Sequence, residues 1–371
     1  MSLKKQKKIA IIHYWWMVNR GGEAVISALL ELYPHADLYI HVHDKKLVQD
    51  TIGSFHKGKV FNTFISKLPF AKKHYQKYLP LMPMALEQLD LDEYDIIISN
   101  ESGPTKGILS RPDAVHICYQ LSPMRYIWDM HHEYMSELKG LTKFIFRLTS
   151  HYIRMWDRLS ADKVDYFVPI SRFVESRVTK FYRRDSEEII PCPVNASHFD
   201  HSKERKDFYL CLGQLVAYKK ADMAVDAFNE LGLPLKVIGD GELFKSLKKK
   251  ANSNVEMMGW QDFEVVKDSL ETCKGLIFPG VEDFGIVPLE AMAAGAPVIA
   301  YGRGGACDTV IHGKTGLLYE EQTINGIIQS VKSLESEEYS FDANILKEHA
   351  ESFDKSVFKE KIRNLVERVS N

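Results

Sequence analysis

Two carboxylates eight residues apart, Glu282 and Glu290, lie on either side of a turn that contains Gly285. An apolar strand pattern at 275–278 precedes the turn, an apolar helical pattern follows it, and a second strand pattern covers 297–301. This strand–helix–strand order predicts that backbone N–H groups face a ligand anion where the first strand meets the helix. Carboxylates beside such an anion can accept hydrogen bonds from hydroxyl groups. The segment therefore suits a sugar carried on a diphosphate.

Composition and charge narrow the class of protein. The chain has 371 residues, of which 45% are hydrophobic and 26% charged, which is typical of a globular protein of two ordinary domains. With 48 basic and 50 acidic residues, the formal charge of −2 excludes attraction of the whole protein to nucleic acid. The five cysteines are scattered and indicate reduced thiols. Residues 1–8 are basic but lack the apolar core of a signal peptide, so we expect a cytoplasmic protein.

Strand-like apolar runs alternate with helical patterns along most of the chain, which predicts an α/β fold with parallel sheets. The first alternation begins with a strand at 8–13 and a loop at 14–20. Ser171 follows a later strand pattern and is a predicted helix N-cap. A polar run with two prolines at 190–207 separates this half from a second alternation, which begins with a strand at 208–212.

Two glycine-containing loops in the second half follow predicted strands. The first runs from Gly213 to Lys219 and contains Gln214. Lys219 supplies the cation that a diphosphate needs, whereas Gln214 can donate hydrogen bonds but cannot neutralise charge. The second loop is Gly239-Asp-Gly241, which opens a helix. A surface lysine and an ordinary tight turn are the alternative interpretations of these two loops.

The segment Glu282-Asp-Phe-Gly-Ile-Val-Pro-Leu-Glu-Ala-Met-Ala-Ala-Gly-Ala-Pro-Val-Ile-Ala300 resembles the signature of retaining glycosyltransferase family four, and the resemblance is most specific over 207–320. It implies the GT-B fold, in which two Rossmann-like domains face a central cleft and the final helix crosses back to the first domain. On this reading residues 1–190 form the acceptor-side domain and 191–350 the nucleotide-sugar-binding domain. Residues 351–371 form the helix that packs back on the first domain.

The resemblance also implies roles for individual residues. Glu282 would contact the transferred sugar, Glu290 would accept hydrogen bonds from the ribose, and Lys219 would pair with the diphosphate. Gln214 stands where the family usually has arginine. An ordinary helical carboxylate is the alternative interpretation of Glu290. The implied donor site is completed by cleft-lining, base-side and turn residues: Gly21, Gly22, Gly239, Gly241, Met258, Trp260, Asp283, Phe284, Gly285 and Ile286.

The run Tyr119-Gln-Leu-Ser-Pro-Met-Arg-Tyr-Ile-Trp-Asp129 resembles a segment of a bacterial mannosyltransferase-like subgroup, whose histidine falls on Leu121 here. In related enzymes that histidine contacts the donor sugar or phosphate, which leucine cannot do. His13, Tyr119 and Arg125 are candidates to replace it; otherwise the enzyme uses a different donor or has reduced activity. The predicted catalytic set is the following: Glu282, Lys219, His13 and Arg125.

The function implied by the resemblance is that of a retaining, metal-independent hexosyltransferase with a nucleotide-sugar donor. GDP-mannose is the favoured donor and a UDP-sugar the runner-up, and the acceptor is a saccharide or lipid-linked glycan of a surface polysaccharide such as lipopolysaccharide or capsule. No cofactor and no metal are expected, because the scattered His and Asp residues lack ligand spacing. The alternatives are a glycoside hydrolase, disfavoured because the acids surround a phosphate-type loop, and a non-catalytic nucleotide-sugar-binding relative.

Lysines alternate with aromatic residues over 55–83, among them Lys67, Lys72, Lys73 and Lys77. One interpretation is a solvated helix face. The other is peripheral association with an anionic membrane, at the inner face of the cell membrane, because cations attract anionic headgroups and aromatic rings suit the interface. No RNA-binding motif accompanies the segment, so nucleic acid is not an expected partner.

Overall fold

A computed structural model describes residues 7–370 and contains two compact units. The first unit runs to Pro191 and also takes in the chain from Phe358 onward, and the second is Cys192–Val357. Most of the basic N-terminal run that argues against a signal peptide, residues 1–6, lies outside the described residues.

The first unit is built on a parallel sheet. Within the described residues its strands are β1 (Ile9–Trp16), β2 (Asp37–His43), β3 (Val60–Asn62), β4 (Ile96–Glu101), β5 (Val115–Gln120) and β6 (Tyr166–Pro169). They lie in the order β3-β2-β1-β4-β5-β6. The predicted loop at 14–20 is wrong at its start, because Trp15 and Trp16 continue β1 by pairing with Val42 and His43 of β2.

The helices of the first unit alternate with its strands along the chain, as expected for an α/β fold. Over the described residues they are α1 (Gly21–Leu32), α2 (Lys45–Ile52), α3 (Ala71–His74), α4 (Met82–Glu87), α5 (His131–Glu137), α6 (Gly140–Ser160) and α7 (Arg172–Tyr182), with 3₁₀ turns at Phe64–Lys67, Tyr75–Leu81 and Ala161–Lys163. The predicted N-cap is confirmed, since the Ser171 hydroxyl accepts a hydrogen bond from the Val174 N–H at 3.1 Å. No helix within residues 7–370 is long and apolar enough to cross a bilayer.

The second unit repeats the same plan. Its strands in the described chain are β7 (Tyr209–Leu212), β8 (Leu235–Ile238), β9 (Val255–Gly259), β10 (Leu276–Phe278), β11 (Val298–Tyr301) and β12 (Gly316–Tyr319). They are parallel and lie in the order β12-β11-β10-β7-β8-β9. Numbered within its own unit, each sheet has the Rossmann order 3-2-1-4-5-6. The predicted α/β class with parallel sheets is therefore confirmed.

The remaining helices follow the strands of the second unit and close the chain. Over the described residues they are α8 (Ala221–Leu231), α9 (Phe244–Lys250), α10 (Phe263–Thr272), α11 (Ile286–Ala293), α12 (Ala306–Thr309), α13 (Ile324–Glu335), α14 (Ala343–Glu351) and α15 (Lys355–Val369), with 3₁₀ turns at Ala196–His198 and Ala217–Lys219. From Phe358 onward α15 belongs to the first unit, where the Phe358 ring meets the Tyr119 ring edge-on at 5.6 Å. An ion pair of 3.1 Å between Lys359 and Glu31 also holds α15 against α1.

A buried charge cluster fastens α6 to the first unit. The fully buried Lys106 ammonium contacts the Asp157 carboxylate of α6 and lies 3.2 Å from the Glu101 carboxylate at the end of β4. Asp157 also accepts hydrogen bonds from the Trp128 indole N–H at 2.7 Å and the Tyr182 hydroxyl at 2.9 Å. Burial lowers the pKa of Lys106, but the two carboxylates outweigh it and raise the pKa above its ordinary value. Lys106 is therefore a permanent cation that its two acidic partners require.

Candidate donor site in the second unit and polar cluster in the first

In each unit the strand order reverses between two central strands, β1 and β4 in the first and β7 and β10 in the second. Ligands of open parallel sheets bind beyond the carboxyl ends of such a pair, because the connecting helices leave in opposite directions and open a crevice. In the second unit the loop after β7 carries Gln214 and Lys219, and the loop after β10 carries Glu282. These three predicted donor residues line one small cavity of about 10 Å³, room for a single water molecule.

An ion pair occupies the centre of this site. The Lys219 ammonium lies 2.9 Å from a Glu282 carboxylate oxygen, and the side chains are 21% and 22% exposed. Gly280 makes the close approach possible, because a Cβ there would lie 2.8 Å from the Lys219 Cα. The Glu282 carboxylate thus holds the position beside the lysine that an incoming phosphate would compete for.

The Gly-Asp-Gly loop supports the lysine loop from behind. Gly239 has a φ of 143°, and a Cβ on it would lie 1.8 Å from the Gly213 carbonyl oxygen, so no side chain fits. The Gly213 N–H donates to the Ile238 carbonyl at 3.0 Å, and the Leu215 N–H donates to the Asp240 carbonyl at 2.9 Å. The glycines of both loops are therefore required for the packing of the loops on each other, whether or not they also face a ligand.

The turn after Glu282 is held by its own backbone and by one buried ring. The Gly305 N–H donates to the Glu282 carbonyl at 2.8 Å, and a Cβ on Gly305 would lie 2.2 Å from the Phe284 Cα. The Phe284 side chain is buried and packs against Phe353, with ring centroids 6.1 Å apart. Only the backbone of Phe284 can therefore serve a ligand. Its neighbours Asp283, Gly285 and Ile286 complete the turn where it enters α11.

Glu290 lies in the second turn of α11, where it is only partly exposed. Burial raises the pKa of its carboxyl group from 4.5 to about 7. The pKa rises because desolvation penalises the charged form of an acid. Near neutral pH the neutral and the ionised forms of this side chain therefore coexist.

Met258 and Trp260 lie at the carboxyl end of β9, the edge strand of the second sheet. The Gly259 carbonyl accepts a hydrogen bond from the Gly239 N–H at 2.9 Å, which brings this end of β9 to the Gly-Asp-Gly loop. Met258 is partly buried, whereas the Trp260 ring is 75% exposed. Trp260 is therefore not a core residue, and its ring face is accessible from solvent.

In the first unit, His13 of β1 is paired in register with Asn100 of β4 across the reversal of strand order. The Asn100 amide nitrogen lies 3.2 Å from His13 Nδ1 and donates to the Gly22 carbonyl at 3.2 Å. His13 Nε2 lies 3.6 Å from the Glu23 carboxylate, which also accepts from the Arg20 N–H at the start of α1. Asn100 and Glu23 are not among the site residues predicted from the sequence. Polar residues at the end of the apolar strand 96–101 were the available signal.

Leu121 is buried beside the glycine pair at the start of α1. A Cβ on Gly22 would lie 3.3 Å from the Leu121 side chain and 2.3 Å from the Tyr14 hydroxyl. Tyr119 is no substitute for the missing histidine, because its buried hydroxyl donates to the Ile190 carbonyl at 2.9 Å. Three residues were proposed from sequence to replace the histidine. Of these, His13 is the one that lies with Gly22, since Asn100 contacts both.

Arg125 and Trp128 follow β5 at a different place in the first unit. The Arg125 guanidinium lies 4.0 Å from the Met130 sulfur within its own segment. Trp128 stacks on Phe181 at 4.8 Å and donates to Asp157, which is a structural role. Among the described residues, no group of three or more His, Cys, Asp or Glu side chains is arranged to hold a metal ion.

Comparison with solved structures defines the class of fold. The structure of Anabaena HepE in complex with UDP-glucose superposes with a TM-score of 0.66 over 96% of this chain and 99% of that chain, at 15% identity. Two Rossmann-like units of this kind constitute the GT-B fold, and the predicted fold is confirmed. Residues 194–356 match the profile of the family described as "Glycosyl transferases group 1". The matched part of the chain includes the signature at Glu282–Ala300.

Sequence relatives agree with this assignment. An uncharacterised glycosyltransferase of Methanocaldococcus jannaschii is 32% identical over 174 residues, 44% of this chain and 49% of that protein. The GDP-mannose-dependent alpha-(1-6)-phosphatidylinositol monomannoside mannosyltransferase of Mycobacterium tuberculosis is 30% identical over 48% of this chain and 54% of that protein. The O-antigen chain mannosyltransferase C of Escherichia coli is 24% identical over 64% and 62%. The chain thus spans about half the length of the first two relatives.

The raised pKa of Glu290 gives a pH-dependent prediction for donor binding. The resemblance implies that Glu290 accepts hydrogen bonds from the ribose hydroxyls, which favour its ionised form, so binding should tighten as pH rises through 7. With a pKa of about 7, apparent affinity should be about tenfold lower at pH 6 than at pH 8. Titration calorimetry with an intact nucleotide sugar measures this, since its diphosphate diester does not titrate in that range. Glu290→Gln should remove the pH dependence, and the same slope in that variant would contradict the assignment.

Proposed function

We propose that this protein is a retaining glycosyltransferase that moves a hexose from a nucleotide sugar to a glycan or lipid-linked acceptor. The observation that carries the proposal is the Lys219–Glu282 pair at the reversal of strand order, between the loops after β7 and β10. A diphosphate there meets a cation, and the transferred sugar meets a carboxylate. Glu290 and the exposed Trp260 ring are available for the ribose and the base.

In the proposed reaction Lys219 and the backbone N–H groups at Gly285 and Ile286 stabilise charge that develops on the leaving diphosphate. The acceptor hydroxyl forms its bond to the anomeric carbon on the face from which the diphosphate departs. The bond from that carbon to the phosphate oxygen breaks, and the leaving phosphate takes the hydroxyl proton. No step requires a metal ion. His13 and Arg125 are proposed to act from the first unit on the sugar or its phosphate.

GDP-mannose is our proposed donor. Two relatives described above are named as mannosyltransferases, one of them GDP-mannose-dependent. A UDP-sugar is the second candidate, favoured by the similarity to the HepE structure with UDP-glucose. Gln214 in place of the usual arginine leaves Lys219 as the main cation for either diphosphate.

The proposed acceptor is a growing surface polysaccharide, free or linked to a lipid. The mycobacterial relative acts on a phosphatidylinositol monomannoside and the Escherichia coli relative on the O-antigen chain, according to their names. We place the protein in the cytoplasm, at the inner face of the membrane. Lys67, Lys72, Lys73 and Lys77 are exposed and can attract anionic lipid headgroups.

A donor screen tests the proposal. Thermal unfolding with a panel of nucleotide sugars should show a rise in Tm for one base, because ligand that binds the folded state stabilises it by about 2.7 kcal/mol at a hundredfold excess over Kd. We expect GDP and GDP-mannose to give the largest shift. A shift with UDP alone would replace mannose by a UDP-linked sugar. A shift without transfer to any acceptor would favour the non-catalytic relative, and sugar release without a nucleotide donor would favour the hydrolase.

A further inference from the structure

Helix α6, Gly140–Ser160, carries a row of large apolar side chains that face solvent. Seven of them are between 47% and 72% exposed. Ile145 lines a groove, and the other six are Leu141, Phe144, Leu148, Tyr152, Met155 and Leu159. At about 100° per residue these positions share a stripe roughly 100° wide along one face of the helix. The stripe, defined by these six residues, is about 27 Å long at a rise of about 1.5 Å per residue.

The stripe is not the inward face of a loosely docked helix. The opposite face of α6, which includes Ile153, Asp157 and Ser160, is already buried. Asp157 anchors that face through Lys106, Trp128 and Tyr182. The stripe therefore remains exposed in the folded unit and needs another environment to cover it.

The two flanks of the stripe differ in chemistry. On one side lie the basic residues of the helix, Lys143, Arg147, Arg154 and Arg158. Arg154 donates to the Ile127 carbonyl and Arg158 pairs with Asp162, which leaves Lys143 and Arg147 toward the start of the helix. The one acid of α6, Asp157, is buried. The exposed charge along α6 is therefore positive.

On the other side of the stripe lies an apolar groove of about 710 Å³, between α6 and the 3₁₀ turn Tyr75–Leu81. Ile145 and Phe146 form its wall on α6, and Leu79 and Pro80 form the facing wall. Lys77 lies at the same groove and is exposed. The groove extends the apolar surface of the stripe toward the cationic segment 55–83.

We propose that the stripe and the groove form a lipid-binding face that rests on an anionic bilayer, with the stripe among the acyl chains and the basic flank among the headgroups. Apolar and aromatic residues on one side of a helix beside lysine and arginine on the other match the chemistry of that interface. The all-positive exposed charge favours anionic lipid over a second copy of this chain, whose matching face would repel it. The inference deepens the proposed function, because a membrane-bound enzyme meets a lipid-linked acceptor where that acceptor is anchored.

Partition of the full chain onto vesicles tests the proposal without donor or acceptor. The wild type should bind vesicles that contain phosphatidylglycerol and bind pure phosphatidylcholine vesicles weakly. Phe144→Ser with Leu148→Ser should lower the partition coefficient at least about tenfold at low salt, since two inserted side chains are removed. The matched control, Ile311→Ser with Ile345→Ser, removes two exposed apolar side chains of the second unit, 43% and 38% exposed, and should bind as wild type.

Salt concentration and charge substitutions distinguish the electrostatic part of vesicle binding from the apolar part. Glu substitutions at Lys67, Lys72, Lys73 and Lys77 should reduce the salt-sensitive part of binding, while the basic flank of α6 retains some of it and the apolar part survives at high salt. Equal binding of the stripe variant and the wild type, with equal Tm values, would overturn the proposal. So would light scattering that shows a dimer converted to a monomer by the stripe variant. Absence of sugar transfer with normal vesicle binding would count against the proposed function alone.

Discussion

Lys219→Ala should lower kcat/KM for sugar transfer by about 10²–10³, the usual effect of removing one preorganised group that stabilises transition-state charge. We expect the loss of kcat/KM to lie at the high end of this range, because Gln214 cannot neutralise the diphosphate in place of Lys219. Calorimetry with the nucleoside diphosphate from the donor screen should also show weaker binding. Lys220→Ala removes a neighbouring cation from the same loop and should retain activity. Wild-type affinity for the diphosphate in Lys219→Ala would show that the loop does not hold it.

The ion pair between Lys219 and Glu282 sets the direction of the effect expected for a change at Glu282. Glu282 competes with phosphate for Lys219, since the two side chains lie 2.9 Å apart. Glu282→Gln should therefore bind the diphosphate as tightly as the wild type or about fivefold more tightly, within the range for partly exposed ion pairs. Turnover should fall in the same variant, because the proposed contact of Glu282 with the transferred sugar is weakened. Weaker binding with unchanged turnover would assign Glu282 to the nucleotide instead.

Lys106→Met should destabilise the first unit by about 3–5 kcal/mol, because it leaves two carboxylates buried without their cation. Glu101 and Asp157 are both fully buried, and burial raises the pKa of Glu101. Urea unfolding followed by tryptophan fluorescence measures the loss. Four of the five tryptophans, Trp15, Trp16, Trp128 and Trp156, belong to this unit, so the emission reports mainly its unfolding.

An exposed ion pair in the same unit is the matched control. Lys163 pairs with Glu87 at 3.0 Å, and their side chains are 32% and 42% exposed. Lys163→Met should cost about 0–1 kcal/mol, because solvent screens such a pair. Similar losses in Lys106→Met and Lys163→Met would mean that the buried cluster is hydrated or protonated, and that α6 is held mainly by its apolar contacts.

The second unit could be predicted closely because its elements are defined by local patterns. The strand patterns at 208–212, 275–278 and 297–301 match β7, β10 and β11 to within one residue at each end, since apolar runs and flanking polar residues mark them. The elements of the first unit were harder to predict from the sequence. Its short strand β3, Val60–Asn62, is set by pairing with β2 and has no strong pattern of its own. Only that pairing identifies it as a strand.

Sequence determined the α/β class, the glycosyltransferase signature and the residue types of the donor site, because these depend on local period and on neighbours in the chain. Tertiary structure decided which groups meet. It brought Glu282 to Lys219, which lies 63 positions earlier in the chain. It placed His13 beside Asn100 of the adjacent strand. It also placed the Trp128 indole N–H within hydrogen-bond distance of the Asp157 carboxylate. It also decided the orientation of α6. The face that carries Asp157 is buried with Lys106, and the stripe is exposed.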